Sequence, residues 1–245
     1  MNFYVATLFP EQVTSYFNTS ITGRAIAKGA ISLECIQMRD FAPNTYGRVD
    51  DTIYGGGTGM MIRCEPVYGA YEKACELAGE KPYTVFMSPK GSVFNEKKAH
   101  ELASHKNLLI ICGHYEGIDA RVTDMVCDEE ISIGDYVLTG GETAAIVVLD
   151  AVARLVPGVL PNEEAYTSES HTGNLLEAPQ YTMPAEWNGV TVPEILRNGN
   201  DALIGEYNRA AALCDTLKRR PDLFDKEVVS EEDWEKMLAF EKGLC

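Results

Sequence analysis

The sequence predicts an α/β fold: a mainly parallel sheet covered by helices, with a small helical domain at the C-terminal end. Three observations point there. Apolar segments of strand length alternate with segments of helical spacing through the first two-thirds of the chain, the pattern of a parallel sheet with crossover helices. Two strand candidates, around Leu108–Cys112 and Glu130–Ile133, run into glycine turns at Gly113 and Gly134 and then toward helix-like sequence. The run Thr143–Leu155 carries only Asp150 and Arg154 as charges, so it reads as a helix buried in a core or at a subunit interface.

Strands are expected at Phe3–Leu8, Ile31–Ile36, Tyr83–Met87, Leu108–Cys112, Glu130–Ile133 and Tyr136–Thr139. Helical spacing marks Gly23–Lys28, Pro66–Leu77, Glu96–Ala103 and Ile118–Val126. Gly29 and Gly79 are suited to end the first two, because glycine enters the left-handed conformation of a helix stop without strain. Residues 38–59 and 157–192 show no clear periodicity, and unstructured stretches of this length tend to be functional or disordered. Beyond them Asn200 can cap a helix through about Leu217, and Ser230 with Asp233 can start another toward Glu241. The expected division is a cofactor domain at 1–158, a linker at 159–192 and a helical domain at 193–245.

Composition narrows the function. The 245 residues are 45% hydrophobic, ordinary for a globular chain of one or two domains. No run reaches the eighteen or more apolar residues of a membrane span. The opening Met1–Pro10 segment lacks a basic start, so it reads as a first strand rather than a signal peptide. Seven cysteines without a CxxC pair argue against a disulfide framework or a zinc site and point to a reducing cytoplasm. With 21 basic against 37 acidic residues the net charge is −16, which repels polyanions at long range. Charge alone therefore favours an enzyme of small metabolites. Lys218-Arg219-Arg220 could grip phosphate, yet a short basic run is more often a solvated helix end.

Several strings could carry chemistry. Tyr54-Gly55-Gly56-Gly57-Thr58-Gly59-Met60 fails the Walker pattern, because no Gly-Lys-Ser/Thr follows, and fails the dinucleotide fingerprint, because Met60 takes the third glycine position. Alone it is as readily a flexible turn as a ligand clamp. Ser88-Pro89-Lys90-Gly91 follows a strand directly and would pass for a simple turn. Together with Gly113 and Ser132–Gly141 it makes three glycine-punctuated turns at strand ends, where α/β proteins bind ligands.

These strings, with Leu8-Phe9-Pro10-Glu11, Thr22-Gly23-Arg24-Ala25, Arg39-Asp40-Phe41, Val49-Asp50-Asp51, Pro157-Gly158-Val159-Leu160 and the Gly173–Pro184 segment, fall in one order. In that order the chain resembles the bacterial tRNA (guanine-N1)-methyltransferases, the TrmD family, over most of its length. The resemblance implies a SPOUT-class fold with a deep trefoil knot, and a homodimer whose active sites are shared between subunits. It implies tRNA and S-adenosylmethionine as substrates. The cofactor residues would be Ser88, Pro89, Gly91, Gly113, Ser132, Ile133, Gly134, Asp135, Tyr136, Val137, Leu138, Gly140 and Gly141. Gly59, Tyr115 and Glu116 would lie toward the target guanine.

Guanine N1 carries a proton at neutral pH and attacks poorly until it is removed. The reaction therefore needs a general base within ~3 Å and a donor at O6, where negative charge grows. Candidate carboxylates are Glu116, Asp135, Asp150, Glu169 and Glu177. The resemblance singles out Glu169, where the family has an aspartate, and Arg154, whose planar guanidinium suits O6; the plain reading of Arg154 is a cation satisfying a helix C-terminus. Magnesium is a trait of the family, with Glu169 or Glu177 as candidate ligands, although the sequence itself has no metal motif. The chain departs from the family at His114 and Met183, which replace arginines, and at Thr143-Ala144. Rival expectations are a ribose 2′-O-methyltransferase of the same class and a non-catalytic RNA-binding factor with a relic pocket.

Overall fold

Five parallel strands form the centre of the computed structural model, which describes residues 1–161, 169–171, 175–224 and 229–242. In chain order the elements begin with β1 (Asn2–Thr7), α1 (Pro10–Phe17), α2 (Ser20–Ala27) and β2 (Ser32–Gln37), followed by a 3-10 turn at Met38–Phe41. A hairpin of β3 (Asp50–Thr52) and β4 (Met60–Ile62) comes next, then α3 (Cys64–Ala78), β5 (Tyr83–Val93), α4 (Glu96–Ala103), β6 (Asn107–Cys112), α5 (Ala120–Val126), β7 (Glu129–Ser132) and α6 (Glu142–Arg154). The main sheet has the order β2-β1-β6-β5-β7 with every pair parallel.

Helices cover both faces, so the strands bury side chains in both directions. Phe3, Val5, Val85, Leu108 and Ile110 pack with side chains of α1, α4 and α6. Their neighbours Tyr4, Ala6, Phe86, Leu109 and Ile111 pack with α3 and α5. β6 is buried at every position, which is why its sequence is a continuous apolar run with no alternation. The Thr143–Leu155 run becomes α6, with Val148, Leu149 and Val152 fully buried.

Several expectations are corrected. Pro10–Phe17, unassigned from sequence, is a helix: Pro10 suits its first turn, and Val13 and Phe17 are buried against the sheet. Ser88–Gly91 does not end its strand. β5 continues to Val93, and Met87 and Ser92 both fall opposite Ile131, so the residues between them leave the ladder. Gly91 lies where a Cβ would stand 2.4 Å from the Glu130 carbonyl carbon, so only glycine lets the two backbones pass. Tyr136–Thr139 is no strand. Tyr136 N–H donates to the Gly134 carbonyl at 2.9 Å, a tight turn that leaves Val137 mostly exposed. The 38–59 stretch contributes the 3-10 turn and β3.

The chain divides into two compact units, Met1–Glu163 and Glu164–Cys245. The second holds the short ribbon β8 (Glu186–Trp187) and β9 (Val190–Thr191), a 3-10 turn at Glu194–Arg197, and the helices α7 (Asp201–Arg219) and α8 (Glu231–Glu241). Asn200 caps α7 through the Leu203 N–H, and Ser230 with Asp233 forms a capping box on α8. Part of the Gly173–Pro184 string, residues 173–174, lies outside the described residues. Among the described residues no helix is long and apolar enough to cross a membrane.

Candidate active site

The irregular middle of β5 and the carboxyl ends of β6 and β7 are adjacent, and the chain at each bends around one cleft of about 220 Å³. Its walls are Phe86–Pro89, Gly113–Gly117 and Ile131–Gly134 with Tyr136–Gly141, and Ala144 of α6 closes one side. The lining is mostly apolar side chain and glycine backbone. Among the described residues it contains no lysine or arginine, and Glu116 is the one carboxylate in it.

Backbone contacts fix the walls. Gly141 N–H donates to the Gly113 carbonyl at 2.8 Å. A Cβ on Gly141 would lie 2.9 Å from the Cys112 Cα, so glycine is required for the second and third walls to meet. Ser132 Oγ donates to the Gly134 carbonyl at 3.0 Å, and the Tyr136 hydroxyl donates to the Ile133 carbonyl at 3.2 Å. Tyr136 thereby lies back over its own loop.

The β3–β4 hairpin is bound to the second wall. Glu116 N–H donates to the Met60 carbonyl at 3.0 Å, and Ile62 N–H to the Gly117 carbonyl at 2.9 Å. Gly59 backs directly onto Glu116, whose Cγ would lie 2.6 Å from a Cβ at that position. Asp119 anchors the far end: it caps α5 and receives Nε and Nη2 of Arg121 at 2.9 and 2.7 Å. That guanidinium holds the Asp119 carboxyl well below the usual carboxylate range. Cys112, at the end of β6, is fully buried; burial, and secondarily the Glu142 carboxylate, push its thiol well up. It remains a neutral packing group rather than a nucleophile.

Of the residues expected at the cofactor, Ser88, Pro89, Gly113, Ser132, Ile133, Gly134, Tyr136, Val137, Leu138, Gly140 and Gly141 line this one cleft, and so do Tyr115 and Glu116. Gly91 and Asp135 do not. Gly91 is wedged against β7, and Asp135 is exposed and absent from the cleft lining. Arg154 is elsewhere as well. It ends α6, whose first residue follows the cleft wall, and thirteen helical residues place it roughly 18 Å away along the axis. There it borders a second depression of about 300 Å³ with Tyr16, Ile21, Asp150 and Leu160. Glu169 belongs to the second unit, beside Ser170, whose Oγ accepts the Glu177 N–H at 3.0 Å.

The structure adds residues that sequence reasoning missed. Phe86, Thr139 and Ala144 line the cleft, and Phe9 packs on the His114 ring at 5.0 Å between centroids. The Leu8-Phe9-Pro10 string was visible, but its partner lies a hundred residues away. Among the described residues no group of three or more His, Cys, Asp or Glu is placed to hold a metal ion.

Comparison with known proteins gives a consistent picture. The family model described as tRNA (Guanine-1)-methyltransferase TrmD matches residues 1–226. A tRNA (guanine-N(1)-)-methyltransferase of Lachnospira eligens is 46% identical over 233 residues, covering 95% of this chain and 99% of its own. One from Persephonella marina is 43% identical over 245 residues, covering 100% and 96%. The crystal structure of a tRNA (m1G37) methyltransferase from Aquifex aeolicus superimposes with a TM-score of 0.74 at 39% identity, covering 95% of this chain and 98% of that one.

Proposed function

The chain belongs to the tRNA (guanine-1)-methyltransferase TrmD family, and on that premise we propose that it transfers a methyl group from S-adenosylmethionine to N1 of the guanosine 3′ of the anticodon in tRNA. The observation that carries this reading is the convergence on one cleft of the irregular Phe86–Pro89 stretch of β5 and the glycine-punctuated loops after β6 and β7. Apolar side chains such as Ile133 and Leu138, flanked by free main chain, fit a flat adenine. The close passages of Gly91 across β7 and of Gly141 against Cys112 support the knotted threading that the resemblance implies.

S-adenosylmethionine supplies a methyl group already activated on a sulfonium. The protein's task is to prepare the nucleophile. The N1–H bond of guanine breaks toward a carboxylate, the N1 electron pair takes the methyl carbon, and the sulfur keeps the electrons of the broken S–C bond. Glu169 is the base in this reading, and Arg154 the cation at O6. Because Arg154 stands at the far end of α6 from its own chain's cleft, a role at O6 calls for a second copy to present it. This supports a homodimer with shared sites. Glu116, pressed from behind by Gly59, points the second wall toward the incoming base.

The segment around Glu169 supports its part in the reading. His171 N–H donates to the Leu175 carbonyl at 2.7 Å, and Ser170 receives Glu177, so these hydrogen bonds draw the chain that carries Glu169 and the chain that carries Glu177 together. Closure of Glu169 over bound RNA would bring the base into place only with substrate present. A magnesium ion would find Glu169 and Glu177 on these joined segments. A tRNA substrate supports a cytoplasmic setting for this activity.

Transfer of tritium from labelled cofactor to unmodified tRNA, followed by nucleoside analysis, tests the reaction. 1-Methylguanosine is the expected product; a 2′-O-methylated nucleoside or no transfer overturns the reading. Glu169→Gln should cut the transfer rate at least about a hundredfold, the scale of a lost general base, with S-adenosylhomocysteine binding unchanged. Near wild-type transfer would remove Glu169 from the role.

A further inference from the structure

Glu142 is a carboxylate for which the reaction above has no use. It starts α6 directly behind the Gly140–Gly141 wall and is 2% exposed. One oxygen accepts the Thr7 hydroxyl at 2.6 Å, and Thr7 Oγ1 in turn accepts the Phe9 N–H at 2.9 Å. The side chain is thus held from the end of β1. Its second oxygen faces the wall: a Cβ on Gly140 would stand 2.6 Å from Oε2 and 2.8 Å from His114 Nε2. Carboxylate and imidazole therefore abut the same face of one lining glycine. Asp or Glu in such cover is uncommon without a task.

Behind the wall the N-terminus of α6 favours this charge, but on the cleft side no lysine or arginine among the described residues meets it, and Glu116 adds a second acid. Its direct hydrogen-bond partner is the Thr7 hydroxyl. A charge set in a low-dielectric wall acts over longer range than one in water.

We propose that Glu142 selects ligands by charge, making the cleft favour a nucleoside with a sulfonium or amine cation at the methyl-bearing position over the thioether, uncharged at that position, that remains after methyl transfer. This rests on the methyl-transfer reading and deepens it. Attraction that vanishes when the positive charge leaves with the methyl group would speed the exchange of spent cofactor for fresh.

Calorimetry on the whole protein tests this with three probes: S-adenosylmethionine, its amine analogue sinefungin, and S-adenosylhomocysteine. The wild type should bind the two cations more tightly than the thioether. Glu142→Gln should lower the ratio of S-adenosylmethionine to S-adenosylhomocysteine affinity about tenfold, or about 1.4 kcal/mol, by weakening the cations alone. Glu142→Asp should restore part of the ratio, and Thr7→Val, which keeps the charge, should leave it in place. Equal wild-type affinities for the three ligands overturn the proposal even if no variant folds. Parallel weakening of all three in Glu142→Gln overturns it too, since that is the signature of a structural role. If the wild type binds none of them, the methyl-transfer reading itself fails.

Discussion

The two units of this chain stabilise themselves by different means. In Met1–Glu163 the sheet is buried on both faces, and of the largest fully buried side chains among the described residues all but Leu213 belong to it. The second unit sets α7 against α8 with Tyr207, Ala210, Ala211, Leu213 and Met237 buried. Around that small core lie polar fastenings. Arg209 meets Asp233 through Nε and Nη2, both at 3.1 Å, and Thr216 Oγ1 accepts the Leu176 N–H at 2.9 Å. Tyr207 and Phe240 meet edge to face at 5.3 Å. The first unit can therefore carry glycine-rich loops and a buried carboxylate at its strand ends, because the layers beneath fix them. The second holds its shape through a few side chains, each of which counts for more.

The most severe break expected in the first unit is Gly91→Ala. The new methyl would meet the Glu130 carbonyl carbon and oxygen at 2.4 and 2.5 Å. Both are main-chain atoms of a paired strand, so no side chain can yield. A loss of about 3 kcal/mol and of S-adenosylhomocysteine binding should follow in thermal melts and calorimetry. Unchanged cofactor affinity would mean that the crossing of β5 and β7 does not shape the cleft. Leu213→Ala is the counterpart in the second unit. Emptying the one large, fully buried side chain there should cost about 2–5 kcal/mol and melt the helices, while calorimetric cofactor affinity stays at the wild-type value. A matching fall in cofactor affinity would erase the distinction between the units.

The same contrast governs what was legible in the sequence. β6 and α6 could be read because burial on both faces leaves an unbroken apolar run at Leu108–Cys112, and burial of a broad stripe leaves only two charges in Thr143–Leu155. Helix caps were legible because their hydrogen bonds are local: Asn200 to Leu203, Ser230 to Asp233. The first helix was missed because its apolar residues Val13 and Phe17 are too few for a period in eight residues. Tyr136–Thr139 looked like a strand because β-propensity records a liking for a half-buried pleat, and no sheet edge was there to supply one. In the site, the three loops could be named from their glycines and from the family order. Their meeting could not, since Gly141 with Gly113 and Thr7 with Glu142 are contacts that no local pattern encodes.

The smallest expected effect separates the units by acid. The Arg209 guanidinium first, and then the Ser230 hydroxyl and N–H, hold the Asp233 carboxyl down at about 2, against roughly 3.9 in an unfolded chain. A folded-state value below the unfolded one means that the stabilisation is complete above about pH 4 and is lost as the pH falls through about 2. The Asp233 side chain is 14% exposed and its Arg209 partner 42%, so solvent screens the pair in part. Asp119 is depressed in the same direction by Arg121, but that guanidinium is 75% exposed, and the sheet around it does not depend on the pair. Asp233→Asn should therefore cost the helical unit about 1 kcal/mol at pH 7 and flatten its stability between about pH 4 and 2, with the sheet unit's acid response unchanged. The indole NMR signal of Trp234, one residue along α8 and edge-on to Phe224, would follow this directly. An acid transition at Trp234 that is the same in Asp233→Asn as in wild type would show that the helix pair is held by its apolar contacts, as the sheet is.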